Sequence, residues 1–175
     1  MTHIILLYTA LKQVDLFCLS AKEAILHQMK LSSLHNLHRF KRYSITIESE
    51  SKTSAKEKLQ KILDTSFYFM NPNKELYFKD AIQDAATTFY HVLVDISQTI
   101  PSTHRSLVAT LNATFNVEIL DIAISTVWKL DFKKRPENIE SFKKQLMEEV
   151  IVSTSRTKGI LANPLYETAT FLESQ

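Results

Sequence analysis

Glycine is almost absent from this sequence: Gly159 is the only one in 175 residues. Glycine-rich phosphate loops, such as GxGxxG and the Walker sequence, need several glycines because the backbone must approach the phosphate closely. The sequence therefore excludes nucleotide-binding sites that depend on such loops.

Cysteine is equally scarce, since Cys18 has no second cysteine to pair with. A chain without an intramolecular disulfide is typical of the reducing cytosol, so we expect a cytoplasmic protein. Cys18 also has no histidine or basic residue beside it in the sequence that would lower its pKa. We therefore expect no nucleophilic role for this thiol.

Long apolar runs and a strong charge of either sign are lacking as well. No run reaches the roughly 18 apolar residues of a membrane span, and the opening HIILLYTALKQVDLF lacks the flanks of a signal peptide. The formal net charge of +2 is too small to indicate nucleic acid or a membrane as a partner. With 45% hydrophobic and 23% charged residues, the composition is typical of a soluble globular protein.

Two Asn-Pro dipeptides, Asn71-Pro72 and Asn163-Pro164, lie about half the chain apart. Each follows a helical pattern and precedes a strand-like run. Because proline disfavours the α conformation in the preceding residue, we expect each dipeptide to end a helix. The repetition suggests a duplicated unit.

The rest of each half follows one pattern, read as strand, helix, strand, strand, helix, strand. RYSITIES, FYHVLVDIS and STVWKLDF alternate apolar and polar residues, which is typical of half-buried strands. Capping boxes at Ser20 and Ser54, together with Pro101 and Pro136, indicate helix starts. The alternating series also predicts that Trp128 lies in the core. STSRTKG carries no apolar periodicity, so we expect an added loop there in the second half.

The predicted fold class is therefore α+β, with two ferredoxin-like βαββαβ units in tandem. The first unit is expected to span residues 1–80 and the second residues 89–175. The junction, residues 81–88, is helix-competent rather than rich in proline or serine, so we expect the two halves to pack together.

Two stretches resemble one known family. KGILANPLYETATF is similar to the end of PurS, the small subunit of phosphoribosylformylglycinamidine synthase, and AKEAILHQMKLSSL…RFKRYSITIE is similar to its first helix and following strands. The resemblance covers both halves, although the glycines usual in the family are missing and Asn71-Pro72 lacks the preceding Leu-Ala. It implies a PurS-like pseudo-dimer in one chain, because single-unit PurS chains dimerise.

The resemblance also implies a function in purine biosynthesis. A PurS-like chain would be a non-catalytic subunit without a cofactor, supporting the assembly of a large synthase subunit with a glutaminase subunit. We expect the isolated chain to hydrolyse neither ATP nor glutamine. The predicted contacts with partners are the two Asn-Pro corners and a basic run, with the residues Asn71, Pro72, Asn163, Pro164, Glu167, Arg39, Lys41 and Arg42. Further self-association of pseudo-dimers is also expected to be possible.

No catalytic or metal site is predicted. His35 and His38 in HNLHRFKR lack the Cys, Asp or Glu neighbours that zinc sites have, so this stretch is interpreted as a solvated turn. Two other function classes stay open. Paired βαββαβ units also describe ACT-like small-molecule sensors, but those bind ligands at glycine-containing turns, and a protein-interaction module is equally compatible. RNA binding through the sheet is disfavoured, because it would need exposed aromatic residues flanked by basic ones.

Overall fold

The computed structural model describes residues 1–82, 89–100, 102–155 and 157–173. These residues form six strands, four α-helices and one π-helical turn. In chain order they are β1 (Thr2–Leu11), α1 (Leu16–His27), β2 (Leu34–Glu48), α2 (Lys52–Thr65), β3 (Glu75–Lys79), β4 (Tyr90–Gln98), α3 (Arg105–Phe115), β5 (Glu118–Phe132), α4 (Ile139–Leu146), the π-helical turn Met147–Ile151, and β6 (Glu167–Leu172).

The fold class is α+β, with one six-stranded sheet in the order β3-β1-β2-β5-β4-β6. β1 pairs antiparallel with β2 and β3, and β4 pairs antiparallel with β5 and β6. Among the described residues, no helix has both the length and the apolar character needed to cross a membrane.

The alternating patterns predicted the strands correctly, but several helix starts were wrong. α1 begins at Leu16, four residues before the expected cap Ser20, because the Asp15 carboxylate accepts hydrogen bonds from the N–H groups of Phe17 and Cys18. Ser51 rather than Ser54 caps α2. Pro136 lies outside α4, whose cap is Asn138. Pro101 and most of the predicted junction, residues 83–88, lie outside the described residues.

β2 and β5 are the main difference from the expected topology. Each is one continuous strand of 15 residues where two strands had been expected. Each half of the chain therefore runs strand, helix, strand, helix, strand. In β2 the chain stays extended through HNLHRFK, which is the stretch that had been interpreted as a turn.

The Asn-Pro dipeptides do not end helices, which corrects the first interpretation of them. α2 ends at Thr65, and the π-helical turn ends at Ile151, well before Asn163. Each dipeptide instead begins a short turn that leads into a strand, β3 or β6.

The chain forms two compact units, and each draws on both halves of the sequence. The first unit comprises Met1–Gln13, Lys41–Gln83 and Pro101–Ile124. It contains β1, β3, the second half of β2, the first half of β5, and helices α2 and α3. Four antiparallel strands with two helices are consistent with a ferredoxin-like unit. Its core is formed by Ile5, Leu7, Tyr43, Ile45, Ile47, Ala55, Leu59, Ile62, Leu63, Phe69, Leu111, Ile119 and Ile122.

The second unit comprises Val14–Phe40, Asp84–Ile100 and Ser125–Gln175. It contains β4, β6, the first half of β2, the second half of β5, and helices α1 and α4. Its strand and helix content matches that of the first unit. Trp128 lies in its core, as predicted, with Cys18, Ala21, Ile25, Leu34, Leu37, Val92, Val94, Ile96, Leu130, Phe132, Leu146, Val150, Ile151, Leu161 and Ala162.

These compact units do not coincide with the sequence segments 1–80 and 89–175. Residues 14–40 belong to the second unit and residues 101–124 to the first. Hydrophobic periodicity identifies an apolar helix face but not the strands that cover it, so this assignment was beyond the sequence. The duplication of the two segments stays a prediction.

Candidate functional site

The first Asn-Pro corner, Asn71-Pro72, is a hydrogen-bonded turn that starts β3. The Glu75 carboxylate accepts a hydrogen bond from the backbone N–H of Asn71 at 2.7 Å. The Asn71 side-chain oxygen accepts from the N–H of Asn73 at 3.0 Å, and the Asn71 carbonyl accepts from the N–H of Glu75 at 2.8 Å. These bonds fix the direction in which the chain enters the strand.

The second corner, Asn163-Pro164, repeats this geometry at the start of β6. The Glu167 carboxylate accepts from the N–H of Asn163 at 2.8 Å, and the Asn163 side-chain oxygen accepts from the N–H of Leu165 at 3.1 Å. The N–H of Glu167 donates to the Asn163 carbonyl at 2.8 Å. The two corners therefore share one turn with the pattern Asn-Pro-x-x-Glu. The structural part played by Glu75 and Glu167 was not visible in the sequence, although their common spacing from the asparagine was.

The two corners differ in what they expose. Between asparagine and glutamate, the first corner carries Asn73 and Lys74. The second carries Leu165 and Tyr166, whose exposed fractions are 77% and 64%. Adjacent exposed apolar side chains form a small contiguous apolar surface, and contiguous apolar surfaces mark contact sites. The second corner is therefore the better suited of the two to bind another protein.

Arg39, a predicted contact residue, is used within the second unit. Its guanidinium binds the Asp15 carboxylate through two hydrogen bonds of 2.9 and 3.1 Å. It also lies 4.7 Å from the centre of the Phe17 ring and 5.9 Å from that of Trp128. Because these contacts already use both its charge and its flat face, Arg39 holds the start of α1 against β2.

The other two predicted basic residues, Lys41 and Arg42, belong to the first unit. Lys41 is exposed, and its ammonium lies 4.8 Å from the centre of the Tyr43 ring. Arg42 is half-buried on the same strand. Neighbours on a strand point to opposite faces, so these two residues do not form one basic surface.

A charged network that sequence reasoning missed lies in the second unit. Lys129 and Asp131 had been expected on a solvated strand face, but each has only 3% of its surface exposed. The Lys129 ammonium lies 3.2 Å from one Asp131 carboxylate oxygen, and Nε2 of His38 lies 3.3 Å from the other. The sequence did show opposite charges two residues apart on one strand, at Lys129 and Asp131. It did not show that His38, far away in the sequence, joins them.

The environment of this network determines how Asp131 ionises. Burial alone would raise the pKa of its carboxyl group. The hydrogen bond from His38 and the charge of Lys129 outweigh that effect and hold the pKa below its usual value. Asp131 therefore stays ionised at neutral pH.

The histidines and Cys18 form no recognisable catalytic set. His35 and His38 lie in β2 rather than in the expected turn, and the exposed ring of His35 stacks on Phe89 with ring centres 4.0 Å apart. Burial, reinforced by the charge of Asp15, raises the pKa of the Cys18 thiol to about 11, although nearby Arg39 and Lys22 lower it. In the described part of the chain, no three His, Cys, Asp or Glu side chains are grouped so that they could hold a metal ion.

No protein-family model, curated protein or solved structure matches the chain.

Proposed function

We propose that this chain is a PurS-like, non-catalytic subunit that supports the assembly of a phosphoribosylformylglycinamidine synthase complex. The observation that carries the proposal is the pair of Asn-Pro-x-x-Glu corners. Each corner makes the same set of internal hydrogen bonds, and each precedes the last strand of its half of the chain. In KGILANPLYETATF, this corner is also the part that most resembles PurS.

The arrangement of strands supports a pseudo-dimer built by duplication. β1, β2 and β3 of the first half correspond to β4, β5 and β6 of the second half. With this correspondence, the sheet order β3-β1-β2-β5-β4-β6 is the same from either edge of the sheet. The order of elements is also the same in both halves. A chain with two PurS-like segments would supply both partners of the dimer that single-unit chains form between copies.

The expected partners are a large synthase subunit and a glutaminase subunit in the cytoplasm. We propose that the second corner makes the contact, because Leu165 and Tyr166 are exposed there while the first corner is polar. The isolated chain is expected to hydrolyse neither ATP nor glutamine.

Affinity purification of the tagged full-length chain from its native lysate tests the assignment. The expected result is copurification of both synthase subunits, identified by mass spectrometry. A variant with Leu165→Asp and Tyr166→Asp is expected to lose them, because the charged groups would have to be desolvated at the contact. The matched control, Asn73→Asp with Lys74→Asp at the first corner, is expected to retain them.

Two results would contradict the proposal. Recovery of neither subunit with the unaltered chain would overturn the synthase assignment. ATP or glutamine hydrolysis by the purified chain, abolished by a single substitution in it, would overturn the non-catalytic role. If both corner variants recover the synthase subunits equally well, the second corner is not the contact, but the synthase assignment stands.

A further inference from the structure

A groove in the first unit lies between α3 and the beginning of β5. It encloses about 460 Å³. Its walls include apolar side chains and two opposite charges, contributed by Arg105, Val108, Ala109, Asn112, Leu120 and Asp121. A volume of this size is within the roughly 300–1,000 Å³ of pockets that bind small ligands or a few side chains of a peptide.

The first half of β5 has an open backbone edge beside this groove. β4 pairs with β5 only from Thr126 to Phe132, and β2 is its neighbour on the other side. Within the described residues, no strand pairs with residues 118–125 on the β4 side. Backbone groups in a strand point alternately to its two edges, so this stretch presents hydrogen-bonding groups to a possible additional strand.

The Asn112 side chain already bonds to the backbone N–H and carbonyl of one residue of this edge, as a neighbouring strand would. Its side-chain nitrogen donates to the Ile119 carbonyl at 2.9 Å, and its oxygen accepts from the Ile119 N–H at 2.8 Å. The amide therefore reproduces, at one position, the paired bonds of an antiparallel neighbour. Beyond Ile119, the edge continues along the groove.

The start of α1 in the second unit provides a contrast. There Asp15 caps the helix and binds Arg39, which covers Phe17, and the Cys18 thiol donates to the Leu37 carbonyl at 3.0 Å. Side chains thus fill the space between that helix and its strand. α3 lacks this arrangement, since its N-cap residue His104 makes no side-chain capping bond.

The charges of the groove favour a different chain over a second copy. Arg105 and Asp121 form no ion pair with any described residue. Two copies that met through this edge around a twofold axis at its centre would bring their Asp121 carboxylates together, and like charges directly opposite each other destabilise strand pairing. A segment that carries both signs could instead pair with Arg105 and Asp121.

We propose that this groove binds an extended peptide segment of another protein, which adds a strand to the open edge of β5. The peptide backbone bonds to residues 118–125, and an apolar side chain enters between Val108, Ala109 and Leu120. An acidic residue of the peptide lies near Arg105 and a basic one near Asp121. Strand addition beside a helix is an established mode of peptide recognition, in which the edge gives affinity and the groove gives specificity. The proposal does not depend on the synthase assignment.

A displayed octapeptide library, selected on the immobilised full-length chain, tests the groove. Ala109→Phe fills it with an aromatic ring, and Thr114→Phe places the same ring on an exposed position on another side of α3 that does not line the groove. Selected peptides are expected to bind Ala109→Phe at least about tenfold more weakly, and to bind Thr114→Phe as well as the unaltered chain. Circular dichroism and a thermal unfolding curve show whether both variants remain folded.

N-methylation of the best peptide tests strand addition itself. Methyl groups on the alternate amides that face β5 remove the donors and are expected to weaken binding at least about tenfold, whereas methyl groups on the other amides are expected to have little effect. Asp121→Lys is expected to select peptides with an acidic residue in place of the basic one. The proposal is overturned if no peptide is enriched, if Ala109→Phe binds peptides as well as Thr114→Phe does, or if both methylation patterns weaken binding equally.

Discussion

The carboxylate of Glu167 accepts a hydrogen bond from the backbone N–H of Asn163 at 2.8 Å, across the turn that starts β6. Glu75 makes the same bond to Asn71 at the start of β3. In both places an acidic side chain satisfies the backbone N–H group of the asparagine four residues before it. The two strands therefore begin with the same local structure in different tertiary surroundings.

Removal of either glutamate is expected to destabilise the fold. Glu167→Ala and Glu75→Ala should each lower the free energy of unfolding by about 1–2 kcal/mol, because a hydrogen bond to a charged group is lost. Glu167→Gln keeps an acceptor and should cost less. Urea unfolding followed by circular dichroism measures the change. Glu173→Ala, outside the corner, is the control, and an equal loss in that variant would contradict the role assigned to Glu167.

Asp15 has two functions that two substitutions can separate. Asp15→Ala removes both the cap of α1 and the ion pair with Arg39, and is expected to cost about 2 kcal/mol. Asp15→Asn keeps a good capping residue and loses only the ion pair, so about 1 kcal/mol or less is expected. Urea unfolding at low and high salt distinguishes the contribution of the ion pair from that of the helix cap. The deficit of Asp15→Asn should shrink with salt, and a deficit independent of salt would contradict an electrostatic origin.

Asp131 is expected to be needed because Lys129 is buried beside it. Asp131→Asn removes a carboxylate that lies 3.2 Å from the buried ammonium and should destabilise the protein by about 3 kcal/mol. The double variant Lys129→Met, Asp131→Leu removes both charges and should be clearly more stable than Asp131→Asn. Chemical unfolding at pH 7 measures both, and a double variant no more stable than the single one would contradict this account.

The same pair predicts a dependence of stability on pH. The pKa of Asp131 is lowered in the folded state, so its contribution is fully present above its ordinary pKa, about 3.9, and is lost as the pH falls through the lowered folded value. Stability measured between pH 7 and pH 2 should therefore fall more steeply at the acidic end for the unaltered chain than for Lys129→Met, Asp131→Leu. Parallel curves would show that Asp131 does not contribute in this range.

Gly159 is expected to tolerate no side chain. Its φ angle is +69°, and a Cβ atom there would lie 1.7 Å from the Val152 carbonyl oxygen. Gly159→Ala should therefore cost more than about 2 kcal/mol, since both the positive φ and the backbone clash oppose it. Lys158→Ala, at the adjacent exposed residue, should change stability by less than about 0.5 kcal/mol. Thermal unfolding of both variants is the measurement, and similar melting temperatures would contradict the prediction.

Cleavage of the chain near Thr87 tests the composition of the compact units. Each fragment would carry segments of both units, so neither is expected to be a folded monomer. Coexpressed fragments are expected to form one folded complex, because together they supply every strand and helix. Light scattering and circular dichroism at micromolar concentration measure this. Two separately folded monomeric fragments would contradict both the unit composition and the pseudo-dimer proposal.

The sequence alone determined the local structure where one face of an element is consistently apolar. Tyr43, Ile45 and Ile47 alternate with polar residues, and they are buried in β2 as predicted. Ala55, Leu59, Ile62 and Leu63 likewise form the buried face of α2. In such segments the period of the apolar residues determines both the type of element and the face that is buried.

Only the tertiary structure decided which segments share a core and which charges are buried. The continuity of β2 through Lys41 and the assignment of residues 14–40 to the second unit depend on strand pairings between distant residues, which no local period encodes. The alternating pattern predicts that Lys129 and Asp131 lie on a solvated strand face. Instead, both charges are buried in a network that His38, distant in the sequence, completes. The physical reason is the same in both cases: a periodic pattern specifies one face of an element, whereas the partner that covers the element is chosen by long-range packing.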